Sequence, residues 1–160
     1  MGVSGSGKTT VAELLAHRLG WLFEEGDALH PEANVRKMAS GQPLTDEDRA
    51  PWLDAIEAWV DARLDAGENG LITSSALKRR YRDLINRRGH GVEFIFLQGE
   101  KETIAPRLAG RRGHFMPAAL LDSQFSDLEP PAPDEPALTF DVAAPPEVIA
   151  QEVIDRLRLG

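Results

Sequence analysis

The pattern G-x-x-x-x-G-K-[ST] stands at the beginning of the chain, where residues 2–9 match it at every position. Glycines allow positive φ angles, so the backbone can pass close to phosphate oxygens with successive N–H groups directed inward at the start of a helix. In such a loop Lys8 places its charge on the terminal phosphates of a nucleotide, and Thr9 offers a hydroxyl to Mg²⁺. A glycine-rich turn that only opens a helix is the alternative, but the amphipathic helix predicted directly afterwards favours the phosphate loop. We predict ATP contacts from Gly2, Ser4, Gly5, Ser6, Gly7, Lys8, Thr9 and Thr10.

Strands and helices are predicted to alternate along the rest of the chain. Short apolar runs predict strands at about 21–23, 71–73, 92–97 and 138–142. Apolar residues at helical spacing predict helices at about 7–19, 31–40, 45–67, 76–86, 117–124 and 147–157, with another between the third of these strands and about residue 111. This alternation predicts an α/β fold of three layers, in which a parallel sheet carries helices on both faces.

The start of the chain raises a question about the first strand of this sheet. A buried strand normally feeds a phosphate loop, and only Met1 precedes the loop here. We therefore expect the first strand to be truncated before Met1 by a misplaced start. A protein that has lost this strand is the alternative.

Composition narrows the classes of function. The 160 residues indicate a single domain, 1–160, and the net charge of −8 argues against a general nucleic-acid partner. No run approaches the roughly 18 apolar residues of a transmembrane helix, and the start lacks the pattern of a secretory signal. The absence of cysteine excludes disulfides and Cys-ligated metals, which fits a reducing compartment. We predict a cytoplasmic protein without a membrane partner.

Basic residues are concentrated in one segment of this acidic chain. Ten of the eighteen lysines and arginines lie between Lys78 and Arg112. Such a segment favours a local anionic ligand, such as phosphate groups, over a long polyanion. A solvated, charged helix face is the alternative for about half of these residues.

A second group of polar residues, Glu25-Gly26-Asp27-x-x-His30-Pro31, follows the strand predicted at 21–23. Ligands of open α/β sheets bind at the carboxyl ends of strands, so Asp27 is expected to face the same cleft as Lys8. A carboxylate at that point can orient an acceptor hydroxyl and take its proton during phosphoryl transfer. The alternative is that Asp27 and His30 only cap the helix that begins near Pro31.

Two pairs of cations repeat a four-residue spacing. Lys78 and Arg82 would share one face of the predicted helix 76–86 and could hold a carboxylate-bearing acceptor; an exposed surface pair is the alternative. Arg107 and Arg111 precede a glycine at the end of another predicted helix, which suggests a lid at about 107–125. Lid arginines can stabilise charge on the transferring phosphoryl group and exclude water, although they could also simply complement the helix dipole.

These stretches, in this order, resemble the gluconokinase family of P-loop kinases, which is related to shikimate kinase. The resemblance runs from Met1 to Pro131 through MGVSGSGKTT, EGDALHPEANVRKMASGQPLTDEDRAPWL, SALKRRYRDLI and RLAGRRGHFMPAALLDSQFSDLEPP. It implies ATP-dependent phosphorylation of D-gluconate to 6-phospho-D-gluconate with Mg²⁺, by a cytoplasmic enzyme of a family whose members are commonly homodimers. It also implies a sheet with strand order 2-3-1-4-5.

The resemblance assigns roles to individual residues. Lys8, Asp27 and Arg111 become catalytic, with Asp27 as the base, and Arg107 and Arg111 contact the nucleotide from the lid. Thr9 serves Mg²⁺, and Glu25, which stands where some relatives have Asp, reaches the ion through water. The implied acceptor contacts are Asp27, His30, Arg49, Lys78 and Arg82. Alternatives are a kinase for another small hydroxy acid, such as shikimate, and an inactive nucleotide-binding homologue.

Overall fold

Parallel strands and helices alternate along the chain in a computed structural model, which describes residues 1–110 and 118–160. The described strands are β1 (Leu22–Glu24), β2 (Gly70–Ile72), β3 (Phe94–Gln98) and β4 (Ala137–Asp141). The described α-helices are α1 (Lys8–Leu19), α2 (Glu32–Ala39), α3 (Asp46–Ala66), α4 (Arg79–Ile85), α5 (Lys101–Ala109), α6 (Ala118–Asp127) and α7 (Pro146–Leu157). A 3-10 helix, Gly26–Leu29, lies between β1 and α2 and was not predicted.

The strands form two parallel pairs with the N-terminal segment between them. β1 pairs with β2 from Leu22 opposite Gly70, and β3 pairs with β4 from Phe94 opposite Ala137. The N–H of Leu97 donates to the Met1 carbonyl at 3.0 Å, and the N–H of Gly2 donates to the Ser75 carbonyl at 3.2 Å. Counted with this segment as the first element, the order across the fold is 2-3-1-4-5, as predicted.

Helices cover both faces of β3. Its side chains alternate between the two faces of the strand, and they pack into two different buried clusters. Leu97 belongs to a buried cluster with residues of α1, α5, α7 and β4. Phe94 belongs to a second buried cluster with residues of α3 and α4. The predicted three-layer α/β architecture is therefore confirmed. In the part of the chain that the structure describes, no helix combines the length and the apolar character needed to cross a membrane.

Helix α3 forms where the sequence predicts it. Thr45 and Asp48 form a capping box: the Asp48 N–H donates to Thr45 Oγ1 at 3.1 Å, and the Thr45 N–H donates to Asp48 Oδ2 at 2.8 Å. Trp52, Ile56 and Val60 are buried at helical spacing along the same helix. Burial of this stripe packs α3 against β2 and the 3-10 helix.

Helix α4 begins three residues later than predicted. Lys78 is its N-cap residue, in an extended conformation with φ −100° and ψ 146°, so Lys78 is not part of the helix. Ala76 has φ 43°, and the Leu77 carbonyl accepts the N–H of Glu129 at 2.8 Å, which holds these residues in a connection rather than a helical turn. The prediction that Lys78 and Arg82 lie on one helical face is therefore wrong.

Candidate active site

The phosphate loop has the conformation that its glycines permit. Gly5 has φ 82° and Gly7, the N-cap of α1, has φ 95°, which are angles that side chains with a Cβ rarely adopt. Lys8 folds back over the loop, with Nζ donating to the carbonyl oxygens of Gly2 and Val3 at 3.0 Å each. The residues predicted to contact the nucleotide thus form one loop and the first turn of α1.

Thr9 and Glu25 meet beside this loop. Thr9 Oγ1 donates to Glu25 Oε2 at 2.7 Å, and Thr73 Oγ1 donates to the other carboxylate oxygen. Oxygen atoms of this kind are the ligands that Mg²⁺ prefers, and the ion commonly takes only one or two protein ligands together with substrate phosphates. Among the described residues, no group of three or more His, Cys, Asp or Glu side chains could hold a metal without such phosphates. The pair therefore fits the predicted magnesium position.

The segment after β1 lies against β2 at Gly26. A Cβ atom on Gly26 would stand 1.8 Å from the Thr73 carbonyl oxygen, so this position accepts only glycine without displacement of the backbone. The Gly26 N–H donates to Thr73 Oγ1 at 3.1 Å, and Trp52 Nε1 donates to the Gly26 carbonyl at 2.8 Å. This close approach fixes where the following residues, Asp27 and His30, enter the site.

A cavity of about 320 Å³ connects the phosphate loop with this segment. Lys8 and Asp27 both line it, as predicted from their positions at the carboxyl ends of strands. The N-cap residue of α2 is Pro31, which makes no side-chain cap hydrogen bond, and among the described hydrogen bonds none joins the side chain of Asp27 or His30 to a backbone N–H of α2, so the structure does not support the capping alternative. The full lining comprises Ser4, Lys8, Asp27, His30, Val35, Met38, Ala39, Pro43, Leu44, Arg49, Trp52, Ser75, Leu120, Ser123 and Gln124.

Arg49 lines the cavity with a guanidinium group that is held on two sides. Arg49 is 7% exposed. Its Nη1 donates to the Tyr81 hydroxyl at 2.8 Å, and its Nη2 donates to Asp127 Oδ2 at 3.2 Å. Tyr81 in turn donates to Asp46. A buried guanidinium with fixed orientation is suited to recognise a carboxylate or a set of hydroxyl oxygens.

His30 is a neutral member of the cavity wall. Its ring stacks on Trp52 with a centroid distance of 4.4 Å and an interplanar angle of 12°. Burial is the main cause that lowers the pKa of His30 below 6.5; Arg49 lowers it further, and Asp27 acts in the opposite direction. The imidazole therefore acts in hydrogen bonding near neutral pH and does not contribute a charge.

Lys78 and Arg82 do not line this cavity. Lys78 Nζ lies 3.5 Å from Asp46 Oδ1. Arg82 is 1% exposed and makes a two-bond ion pair with Glu135, with Nε to Oε1 at 2.6 Å and Nη2 to Oε2 at 3.1 Å. The remaining donors of Arg82 serve backbone carbonyls, so its guanidinium is used within the fold; the alternative of an exposed surface pair is also wrong for Arg82.

The predicted lid lies only partly within the described residues. Arg107 is exposed in the last turn of α5. Arg111 lies outside the described residues, and the roles predicted for both arginines stay predictions. Helix α6, which ends the predicted lid, reaches the phosphate loop through Gln124, whose Oε1 accepts the N–H of Ser4 at 2.7 Å.

Comparisons with known proteins agree with this site. A family model described as an AAA domain matches residues 1–131. A gluconokinase of Gluconobacter oxydans (strain 621H) is 51% identical over 154 residues, which cover 96% of this chain and 86% of that protein. The chain belongs to the gluconokinase family.

Solved structures support membership of the gluconokinase family. A gluconokinase from Sinorhizobium meliloti 1021 has a TM-score of 0.85 and 45% identity, and the match covers 98% of this chain and 90% of that chain. A sugar kinase from Janibacter sp. HTCC2649 has a TM-score of 0.94 and 48% identity, covering 100% of this chain and 92% of that chain. The fold around the cavity is thus shared over essentially the whole chain.

Sequence reasoning missed several residues of the gluconokinase-family cavity. No role in the site was predicted for Trp52, whose indole Nε1 donates to the Gly26 carbonyl and whose ring stacks on His30. Gln124 lies in the SQF stretch that carried part of the resemblance, although no role was predicted for it. Tyr81 orients Arg49 from a position 32 residues away in sequence. For Gln124, the available signal was a polar residue one turn after the buried Leu120 and Leu121 of α6.

Proposed function

We propose that the protein transfers the γ-phosphoryl group of ATP to D-gluconate, giving 6-phospho-D-gluconate and ADP. The observation that carries this proposal is the shared cavity, since Lys8 of the phosphate loop and Asp27 line the same space. Arg49 contributes an oriented cation to that space, and His30 contributes a neutral imidazole. These groups suit an acceptor that carries a carboxylate and several hydroxyl groups. The similarity to gluconokinases supports gluconate in particular.

In the proposed reaction, an acceptor hydroxyl oxygen attacks the γ-phosphorus while the bond from that phosphorus to the β–γ bridging oxygen breaks. The electron pair of the broken bond leaves with ADP, and Asp27 takes the proton of the hydroxyl. Lys8 and the loop amides balance the charge of the terminal phosphates. Mg²⁺, held through Thr9 and the water-linked Glu25, would supply further positive charge to the phosphate oxygens.

The acceptor would be held by residues on the opposite wall of the cavity. The guanidinium group of Arg49 is held by Tyr81 and Asp127. Binding of a carboxylate would therefore not carry the entropic cost of ordering the Arg49 side chain. We propose a fold-stabilising role for Arg82 in place of acceptor binding, because its donors are used by Glu135 and by backbone carbonyls. Arg107 and Arg111 are proposed to reach the nucleotide from the lid.

A coupled ADP-release assay over gluconate, shikimate, glycerate and glucose tests the proposal. We expect turnover with gluconate, and we expect Asp27→Asn to lower kcat by about 10²- to 10⁴-fold, the usual contribution of a general base. Asp54→Asn, an exposed carboxylate on α3, is the matched control and should leave kcat unchanged. Turnover with shikimate alone would show that shikimate, and not gluconate, is the acceptor. Equally little turnover by folded wild-type and Lys8→Met proteins would favour an inactive nucleotide-binding homologue.

The cytoplasmic location and the homodimer stay predictions of the resemblance. Sedimentation velocity at micromolar concentration would test the dimer, and a single species at the 17.5 kDa mass of one chain would contradict it.

A further inference from the structure

Asn34 contacts both the start of α3 and the imidazole of His30. It is 5% exposed on α2, and its Nδ2 donates to the Asp48 carbonyl at 2.8 Å. The same Nδ2 lies 3.2 Å from His30 Nδ1. A carbonyl oxygen can only accept a hydrogen bond, so the amide of Asn34 must direct its NH₂ group, and not its oxygen, toward Asp48. The orientation of the amide is therefore determined by the backbone of α3.

This orientation also determines the protonation of His30. The second hydrogen of Asn34 Nδ2 faces His30 Nδ1, so Nδ1 must accept, and in a neutral imidazole the proton then resides on Nε2. We propose that Asn34 is a positioning residue that fixes His30 as the neutral Nε2–H tautomer, which makes His30 a hydrogen-bond donor to an oxygen of the acceptor. The substrate part of this inference rests on the proposed function, whereas the tautomer does not.

Other contacts of His30 favour the same state. Stacking on Trp52 holds the plane of the ring, so the donor on Nε2 keeps one direction within the cavity wall. The charged groups that act on the imidazole are Asp27 of the 3-10 helix and Arg49 of α3. Burial and Arg49 oppose a positive imidazolium, and protonated Nδ1 would meet an NH₂ group of Asn34.

A fixed donor suits an acceptor rich in oxygen atoms. A carboxylate accepts hydrogen bonds only, and a hydroxyl oxygen can accept one while its own proton goes elsewhere, for example to Asp27. Had the proton been on Nδ1, Nε2 would compete with Asp27 for the hydroxyl proton. The tautomer thus separates the two roles, with His30 donating and Asp27 accepting.

Nitrogen NMR of the histidine rings tests the tautomer directly. In the wild-type protein at pH 7.5, His30 should show a protonated, pyrrole-like Nε2 and an unprotonated, pyridine-like Nδ1, assigned by loss of the signals in His30→Gln. Asn34→Asp presents a carboxylate to Nδ1 and should move the proton to Nδ1. The exposed His17 and His90 serve as references in the same spectrum and should not change. A wild-type His30 with a protonated Nδ1 overturns the inference, whatever the activity.

Kinetics test the consequence for the acceptor. Asn34→Leu keeps the approximate volume but removes the donor, and loss of one oriented hydrogen bond should raise KM for gluconate about 3- to 10-fold with KM for ATP unchanged. Asn69→Asp, an exposed asparagine outside the cavity, is the matched control for Asn34→Asp. An unchanged gluconate KM in folded Asn34→Leu and Asn34→Asp overturns the positioning role. The expected tautomer with no gluconate turnover in the wild type would instead refute the proposed function and leave the tautomer assignment standing.

Discussion

Replacement of Arg82 by methionine should destabilise the fold strongly while leaving acceptor binding intact. The side chains of Arg82 and Glu135 are 1% and 4% exposed, and they form two hydrogen bonds of 2.6 and 3.1 Å. Arg82 also donates to the carbonyls of Ala76, Leu77 and Glu129. Arg82→Met leaves a buried carboxylate without its partner, which typically costs about 3–5 kcal/mol. Each 1 kcal/mol lowers Tm by about 2–4 °C in a domain of this size, so a decrease of roughly 6–20 °C is expected.

The pH dependence of the unfolding free energy identifies the Arg82–Glu135 ion pair as the cause of the stability loss in Arg82→Met. Arg82 is the main cause that holds the pKa of Glu135 below 4.5, with the N–H of Ala132 and the charge of Arg79 in the same direction. A depressed carboxyl pKa stabilises the folded state above pH 4.5, and this contribution is lost as pH falls through the folded-state pKa. The stability difference between wild type and Arg82→Met should therefore shrink as pH falls below about 4.5.

Urea unfolding followed by tryptophan fluorescence at pH 7 and pH 4 measures both effects. The double variant Arg82→Met/Glu135→Met removes both charges and should recover much of the lost stability, because apolar replacements of a buried pair are often neutral or better. An Arg82→Met protein as stable as the wild type, with a tenfold higher KM for gluconate, would refute this reasoning and restore the acceptor contact that the sequence predicts.

Three further predictions concern the cavity wall. Gly26→Ala should lower stability by about 3 kcal/mol, because the added Cβ would overlap the Thr73 carbonyl at 1.8 Å; an unchanged Tm would contradict this close approach. Tyr81→Phe removes the acceptor of Arg49 Nη1 and should raise KM for gluconate about 3- to 10-fold without affecting KM for ATP in steady-state assays. The pKa of His30 is lowered by burial, so protonation favours the unfolded chain and stability should fall as pH drops from 6.5 through the folded-state pKa; urea unfolding of His30→Gln should lack this component.

Local sequence predicts those parts of the fold that local forces determine. The phosphate loop follows from its glycines, whose positive φ angles are a property of the residue type. Helix α3 follows from its capping box and its apolar stripe, including Trp52 and Ile56. The shared position of Lys8 and Asp27 follows from the rule that strand ends meet at one edge of a parallel sheet.

The wrong predictions have a common physical cause, which is hydrogen bonding and ion pairing between residues that are far apart in the sequence. Helical spacing places Lys78 and Arg82 on one face only if both residues are helical, and tertiary hydrogen bonds of residues 76–77 delay the start of α4. The partner that buries Arg82, Glu135, lies 53 residues away. Likewise, Asp127 and Tyr81 orient Arg49 from other elements, so the sequence could not indicate which of its donors remain directed at the cavity.

The concentration of basic residues between Lys78 and Arg112 does not by itself locate the cavity. Within the described residues, most cations between 78 and 110 have carboxylate partners that fold back on them; these pairs are Lys78–Asp46, Arg79–Asp134, Arg80–Asp46, Arg82–Glu135, Arg87–Glu57, Arg88–Asp65 and Lys101–Asp122. The exposed pairs among them, unlike the buried Arg82–Glu135 pair, contribute about 0–1 kcal/mol each. Among the described residues, the cations that line the cavity are Lys8 and Arg49, which stand outside that segment. Within the described residues, the burial and orientation of a charge therefore indicate the cavity better than the number of charges in a segment does, and the lid arginines at the end of that segment stay a prediction.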